Sequence, residues 1–254
     1  MRIIISPAKK MRADPDSLPW RDLPRFLPQA ETLAAALRAM TREELKALWK
    51  CSDAITDQNL RRLETMDLRR GLTPAILAYE GIQYQYMAPG VFGEEEYDYL
   101  QSHLRILSGL YGVLRPFDGV TPYRLEMQAK LKVCEAKDLY SFWGISLAEE
   151  ICRDTDCVVN LASKEYSLAV SRHLPPDQRW ITCVFGQERG GKIVERGTMC
   201  KMARGEMVRY LAERRAETPE VLRTFDRLDF TYAPAWSDEG TYVFLQRSPD
   251  RREM

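Results

Sequence analysis

Apolar positions fall along the chain in two patterns, short continuous runs and three-to-four spacings, which alternate without a regular repeat. Arg2 to Ile5 is a short apolar run closed by Ser6 and Pro7, which predicts a buried strand. Prolines at 15, 19, 24 and 28 then forbid regular structure, so Arg12 to Pro28 reads as a long surface excursion. Leu33, Leu37 and Met40 mark the stripe of a helix, and Thr41 with Glu44 reads as the capping box of the next. A third helix starts at Ser52 or Asp53 and carries Ile55, Leu63 and Met66. Ala75 to Tyr86 holds two β-rich runs around Gly81 and predicts a pair of strands. After Pro89-Gly90, Glu94, Glu95 and Glu96 place negative charge where a helix N-terminus favours it. Tyr97, Leu100, Leu104 and Leu107 continue at helical spacing, so that helix is expected to end near Leu107.

Farther on, Val158 to Leu161 and Ile181 to Phe185 read as core strands, and Gly190-Gly191 returns the chain through Lys192 to Glu195 as a hairpin. A helix is expected from about Met199 to Arg214, and Thr218-Pro219-Glu220 opens a shorter one through Phe225. Strands near Phe230 and from Tyr242 to Gln246 close the sheet, and the charged tail from Ser248 is expected to fray. Strands and helices interleave without a clean βαβ repeat. The fold class expected is α+β, one compact domain over residues 1–254 with a mixed sheet and surrounding helices.

Composition narrows the function. Lys plus Arg and Asp plus Glu each number 37, so the net charge is zero and any polyanion site must be a local patch. The six cysteines include no C-x-x-C pair, and MRIIISPAKK carries no apolar signal region, which suggests reduced thiols in a cytoplasmic protein. No apolar run is long enough to cross a bilayer. With two histidines, His103 and His173, most metal sites fall away, and neither a metal nor a cofactor is expected.

Several segments can carry chemistry. In Leu107 to Gly112, two glycines three apart permit positive φ and close backbone approach. Following a helix and preceding Val113 to Arg115, they suggest a helix-hairpin-helix-like element over residues 94–118. Gly109, Tyr111, Gly112 and Arg115 would then meet a DNA phosphate through free N–H groups, unless the glycines only make a tight helical corner. Tyr123, Arg124 and Glu126 offer a flat ring, an anion fork and a carboxylate, though a core tyrosine beside a buried ion pair is the commoner use. On the helix from Met199, Lys201 and Arg204 make a cationic face, with Gly205 admitting a phosphate chain or packing another helix. Ser6 and Lys9 match S-x-x-K, in which a lysine activates a serine. Asn160, Ser163, Glu165 and Tyr166 follow a core strand where open sheets gather ligand groups, although Ser163 also suits a helix cap.

The ordered set IISPAK (Ile4 to Lys9), PAILAYEG (Pro74 to Gly81), LSGLYGVLRPFD (Leu107 to Asp118), PYRLEM (Pro122 to Met127), LYSFWG (Leu139 to Gly144), NLASKEY (Asn160 to Tyr166) and KMARGEM (Lys201 to Met207) resembles the YaaA family of bacterial peroxide-stress proteins almost end to end. The resemblance implies a cytoplasmic DNA-binding protein with an uncommon α+β fold, a helix-hairpin-helix element and a positively charged cleft. It also implies a part in lowering free iron, and with it DNA damage, under hydrogen peroxide. LSGLYG becomes the candidate hairpin, and Lys201 and Arg204 candidate cleft wall. The chain departs from the common pattern at Met202, where a second lysine is usual, at Gln128, where glycine is usual, and at Lys164 and Ser167.

Two functions follow. One is a binding protein that grips double-stranded, distorted or single-stranded DNA with little sequence preference. The other is an enzyme acting on a nucleobase, nucleotide or damaged nucleic acid, with Lys9 or Glu165 as base or nucleophile and Arg124 holding an anion.

Overall fold

Ile3, Ile4 and Ile5 have no solvent exposure, and the strand they form lies in the middle of the main sheet, covered on both faces. The computed structural model describes residues 1–247. In chain order these form β1 (Arg2–Ile5), β2 (Lys10–Met11), α1 (Leu27–Arg38), α2 (Arg42–Trp49), α3 (Asp53–Thr65), β3 (Thr73–Pro74), α4 (Ala75–Ala78), β4 (Tyr79–Glu80), α5 (Ile82–Met87) and α6 (Glu94–His103). Next come β5 (Leu104–Ser108), β6 (Gly112–Leu114), β7 (Gly119–Val120), α7 (Leu139–Trp143), α8 (Ser146–Cys152), β8 (Cys157–Leu161) and α9 (Lys164–Ser171). The last are β9 (Arg179–Arg189), β10 (Lys192–Val194), α10 (Gly197–Glu213), β11 (Phe230–Tyr232) and β12 (Thr241–Gln246).

The fold is α+β, with an eight-stranded mixed sheet in the order β11-β12-β9-β8-β1-β5-β6 and β10 paired to β9. From β12 to β5 every neighbouring pair is parallel, while β6 and β11 add antiparallel edges. The chain leaves β1 for β5 on one side and later enters β8 on the other, in the register Ile5 with Ile106 and Ile5 with Leu161. That reversal of direction leaves a crevice beyond the carboxyl ends of β1 and β8, where α/β sheets bind ligands. The Thr41 capping box forms as expected, with Glu44 N–H on Thr41 Oγ1 at 3.3 Å and Thr41 N–H on Glu44 Oε2 at 2.8 Å. Among the described residues no helix is long and apolar enough to cross a membrane. The charged tail from Ser248 lies outside the described residues.

Three local expectations are corrected. Ala75 to Tyr86 is not a strand pair but α4, the short β4 and α5. Leu72 to Tyr79 is buried on every side, so its apolar pattern carries no period from which to choose helix or strand. The helix from Glu94 ends at His103, and Leu104 to Ser108 continues as β5. Residues 94–118 are therefore a helix followed by a β-hairpin, not two helices about a turn: Ile106 pairs with Leu114 and Ser108 with Gly112. The segment Thr218 to Phe225 makes only a 3-10 turn over Pro219–Thr224.

Gly205 is explained by packing. A Cβ there would lie 2.2 Å from Gln83 O and 2.9 Å from Met87 N, so α10 meets the α5 backbone at a contact only glycine permits. Gly205→Ala is expected to lower stability by about 1–3 kcal/mol, visible as an earlier urea midpoint; an unchanged midpoint would contradict this packing. Asp118 supplies a second test. Its burial raises the carboxyl from 3.8 to about 6, against the Arg115 N–H and guanidinium that favour the charged form. A proton held more tightly in the folded chain stabilises the fold in acid, fully below 3.8, and that contribution is lost as pH rises through about 6. The stability of Asp118→Asn relative to the native chain should therefore rise with pH across this interval, and a constant difference would refute the assignment.

Candidate functional site

The carboxyl end of β1 runs directly into Ser6-Pro7-Ala8-Lys9, and that of β8 into Ala162-Ser163 and α9. The two ends are tied together. Ser163 N–H donates to Ser6 Oγ at 2.8 Å, and Ser6 Oγ–H donates to Ser163 Oγ at 3.1 Å. Ser163 holds the N-cap position of α9 but makes no side-chain cap bond, its hydroxyl being turned to Ser6. Asn160 supports the turn from below. Its Oδ1 accepts from Ala162 N–H at 3.0 Å and its Nδ2 donates to Thr182 Oγ1 at 3.3 Å.

Around this clasp opens a cleft of about 510 Å³. Ser6, Lys9, Tyr123, Arg124, Glu126, Ser163, Glu165 and Tyr166 line it together with Lys201 and Arg204 of α10. Of the expected pocket residues only Asn160 is absent from the wall; it is buried behind it. Lys9 Nζ pairs with Glu126 Oε1 at 2.9 Å, and Arg124 Nη2 lies 3.5 Å from the same oxygen. The S-x-x-K pattern thus makes no serine–lysine contact: the Ser6 proton goes to Ser163 and Lys9 goes to Glu126. Arg204 faces Glu195 at 3.8 Å. Gln83, Arg124 and Arg204 each keep a buried side-chain nitrogen (Nε2, Nε and Nε) without an acceptor, which leaves donor capacity in the cleft wall.

Three tyrosines form the apolar side. Tyr123 OH bonds Tyr79 OH at 2.9 Å and Ser108 Oγ at 2.7 Å, and Tyr84 OH donates to Ser6 O at 3.0 Å. Burial pushes the Tyr123 phenol up to about 12 and the Tyr84 and Tyr166 phenols well above their usual range, so all three remain neutral. Glu165 is also shifted. Its burial raises the carboxyl most, the Gln128 N–H at 3.2 Å from its Oε1 opposes this, and the charge of Glu126 raises it further while Lys9 lowers it. The cleft therefore combines anion-binding donors, flat rings and a carboxylate that binds its proton more tightly than usual.

The hairpin residues lie elsewhere. Gly109, Tyr111 and Gly112 are buried and cannot meet DNA directly, which corrects their expected role. A Cβ on Gly109 would sit 2.3 Å from Leu125 O, and Gly112 takes φ +72 with Trp143 2.8 Å from where a Cβ would lie. Both glycines serve internal packing. Arg115 is held by Asp22 at 3.3 Å and Asp118 at 3.5 Å, away from the cleft. Lys10, next to Lys9, also lines the cleft, as do Glu80, Gln83 and Tyr84 of the segment whose apolar run suggests a strand pair. Among the described residues no cluster of three or more His, Cys, Asp or Glu could hold a metal ion.

The profile of the family described as "Peroxide stress protein YaaA" matches residues 1–236. A UPF0246 protein of Lachnoclostridium phytofermentans is 50% identical over 253 residues, covering 100% of this chain and 99% of the relative. UPF0246 proteins of Agathobacter rectalis and Desulfitobacterium hafniense are 49% and 47% identical, covering 97% and 99% of this chain and 99% and 100% of theirs.

Removing Lys9 removes the charge that lowers the Glu165 carboxyl. Lys9→Ala should shift the Glu165 titration, followed by the NMR signal of its side-chain carboxyl carbon, to higher pH. A fall, or no movement, would show that the two groups do not share the cleft's field.

Proposed function

This chain belongs to the family of the peroxide stress protein YaaA, and from that premise we propose that it acts in the cytoplasm by binding nucleic acid in the crevice between β1 and β8. The observation that carries this reading is the convergence of five cations, Lys9, Lys10, Arg124, Lys201 and Arg204, on one cleft against three carboxylates, Glu80, Glu126 and Glu165, in a chain of zero net charge. Cations concentrated in a cleft attract a phosphate chain. At about 510 Å³ the space suits one nucleotide unit rather than a duplex, with the base against the tyrosine rings. Single-stranded or distorted DNA, whose bases can be turned outward, is the form that fits. Occupying exposed bases in this way would limit iron-dependent damage to DNA during peroxide stress.

A second reading, an enzyme acting on a nucleobase, nucleotide or damaged nucleic acid, is favoured by one observation. Glu165 has a raised proton affinity and lines the same cleft as the Lys9–Glu126 pair, a setting suited to proton transfer. Incubation with abasic or oxidised oligonucleotides separates the readings: a product that disappears in Glu165→Gln supports the enzyme, and an unaltered oligonucleotide supports binding alone.

For binding, Lys201→Ala/Arg204→Ala should weaken a fluorescent single-stranded oligonucleotide by about tenfold or more. It should also flatten the dependence of log Kd on log salt by roughly 1.4, the loss of two phosphate contacts. Unchanged affinity and slope would remove α10 from the site.

A further inference from the structure

A second cavity, of about 410 Å³, adjoins the cleft. The two share Lys10, Glu80, Gly81, Ile82 and Tyr84, so they are neighbouring chambers of one groove. The rim between them is the β2–β4 ribbon, in which Lys10 pairs with Glu80 in backbone register and Lys10 Nζ lies 3.0 Å from Glu80 Oε2. Beyond it stands Arg12, anchored by its Nε on Leu77 O at 3.1 Å and 3.5 Å from Asp14 through Nη2. At the far end is Gly90, where an added Cβ would meet nothing within 4 Å.

We infer that the second cavity is the subsite for the adjacent nucleotide of the same strand, with the linking phosphate crossing the rim at Lys10. This rests on the proposal that the cleft holds a nucleotide unit. Two observations single out a continuous strand over a second, separate small molecule. The chambers meet at the Lys10–Glu80 pair, and the next cation, Arg12, lines only the second chamber. One wall is suited to a base. Tyr84 lines both chambers, and Tyr79, packed against it with ring centres 5.5 Å apart, extends that aromatic wall into the second. Lys10 is largely exposed in its pair with the one-third-exposed Glu80 (77% against 34%), and an exposed ammonium in such a pair contributes little, so Lys10 can turn to a phosphate at small cost. Arg12 keeps its Leu77 anchor while its guanidinium remains half exposed. An open groove with cations along its length and aromatic walls is the general form of a single-strand site.

The test is calorimetric titration of the full chain with thymidine 5′-monophosphate and with the 5′-phosphorylated thymidine dinucleotide. The dinucleotide should bind about tenfold tighter or better, the gain of one base contact and one phosphate contact. Arg12→Ala should leave the mononucleotide unaffected and remove most of that gain. Gln85→Lys, which adds a cation to the second chamber alone, should increase the gain and guards against a folding defect in the first variant. Equal affinities for the two ligands, with both variants silent, would overturn the inference while leaving the cleft reading intact. Failure of both ligands to bind would overturn the two together.

Discussion

Ser6 Oγ takes the Ser163 amide proton at 2.8 Å and gives its own to Ser163 Oγ at 3.1 Å, closing the gap between two parallel strands that leave the sheet in different directions. Parallel strands end with their carboxyl groups and following loops on one edge, and where successive connections diverge those loops part. Here the loop after β1 carries Lys9 and the first turn of α9, just past β8, carries Glu165, and the serine clasp ties the two connections together. Tyr84 reaches it through Ser6 O, and Glu126 through Lys9. Within the clasp Ser6 Oγ both accepts and donates, which uses its proton and one lone pair.

The most recognisable motif of the chain, LSGLYG, supports the cleft from inside. Ser108 ends β5 and bonds both Tyr111 N–H and the Tyr123 hydroxyl, so the hairpin holds the ring that forms one wall. Gly109 lets the backbone approach Leu125 O, which draws the segment from Tyr123 to Glu126 against the sheet, and Trp143 Nε1 donates to Gly109 O from the other side. A side chain at Gly109 would push that segment outward and open the site. The motif thus bears on function one layer away from the ligand. The bland reading of its glycines, a tight internal corner, was correct in kind, with strands where helices were expected.

The parts of the fold legible in the sequence were those with local chemical causes. Prolines ended the excursion before α1, Thr41 and Glu44 capped α2, and the Gly190-Gly191 turn joined β9 to β10. What escaped were segments buried on all sides, Leu72 to Tyr79 and Leu104 to Ser108, where no polar face remains to reveal a period. The site divided along the same line. Ser6 and Lys9 are legible through the S-x-x-K spacing, Arg124 and Glu126 through the polar chemistry beside Tyr123, and Glu165 through the polar run that follows a core strand. Gln83 was hidden by the misread segment, and the hairpin glycines were misassigned because sequence shows that a backbone comes close, but not to what. Gly205 carried both explanations, and only its 2.2 Å approach to Gln83 O decided between them.

The central claim is that nucleic acid enters the crevice between β1 and β8 and not the hairpin surface. Photocrosslinking a single-stranded oligonucleotide that carries one 4-thiothymidine, followed by mass mapping of the attached peptides, tests it most directly. Attachment is expected within Ser6–Lys10, Tyr79–Tyr84 or Tyr123–Glu126. Attachment confined to the exposed surface around Arg115, or spread evenly over surface lysines, would contradict it.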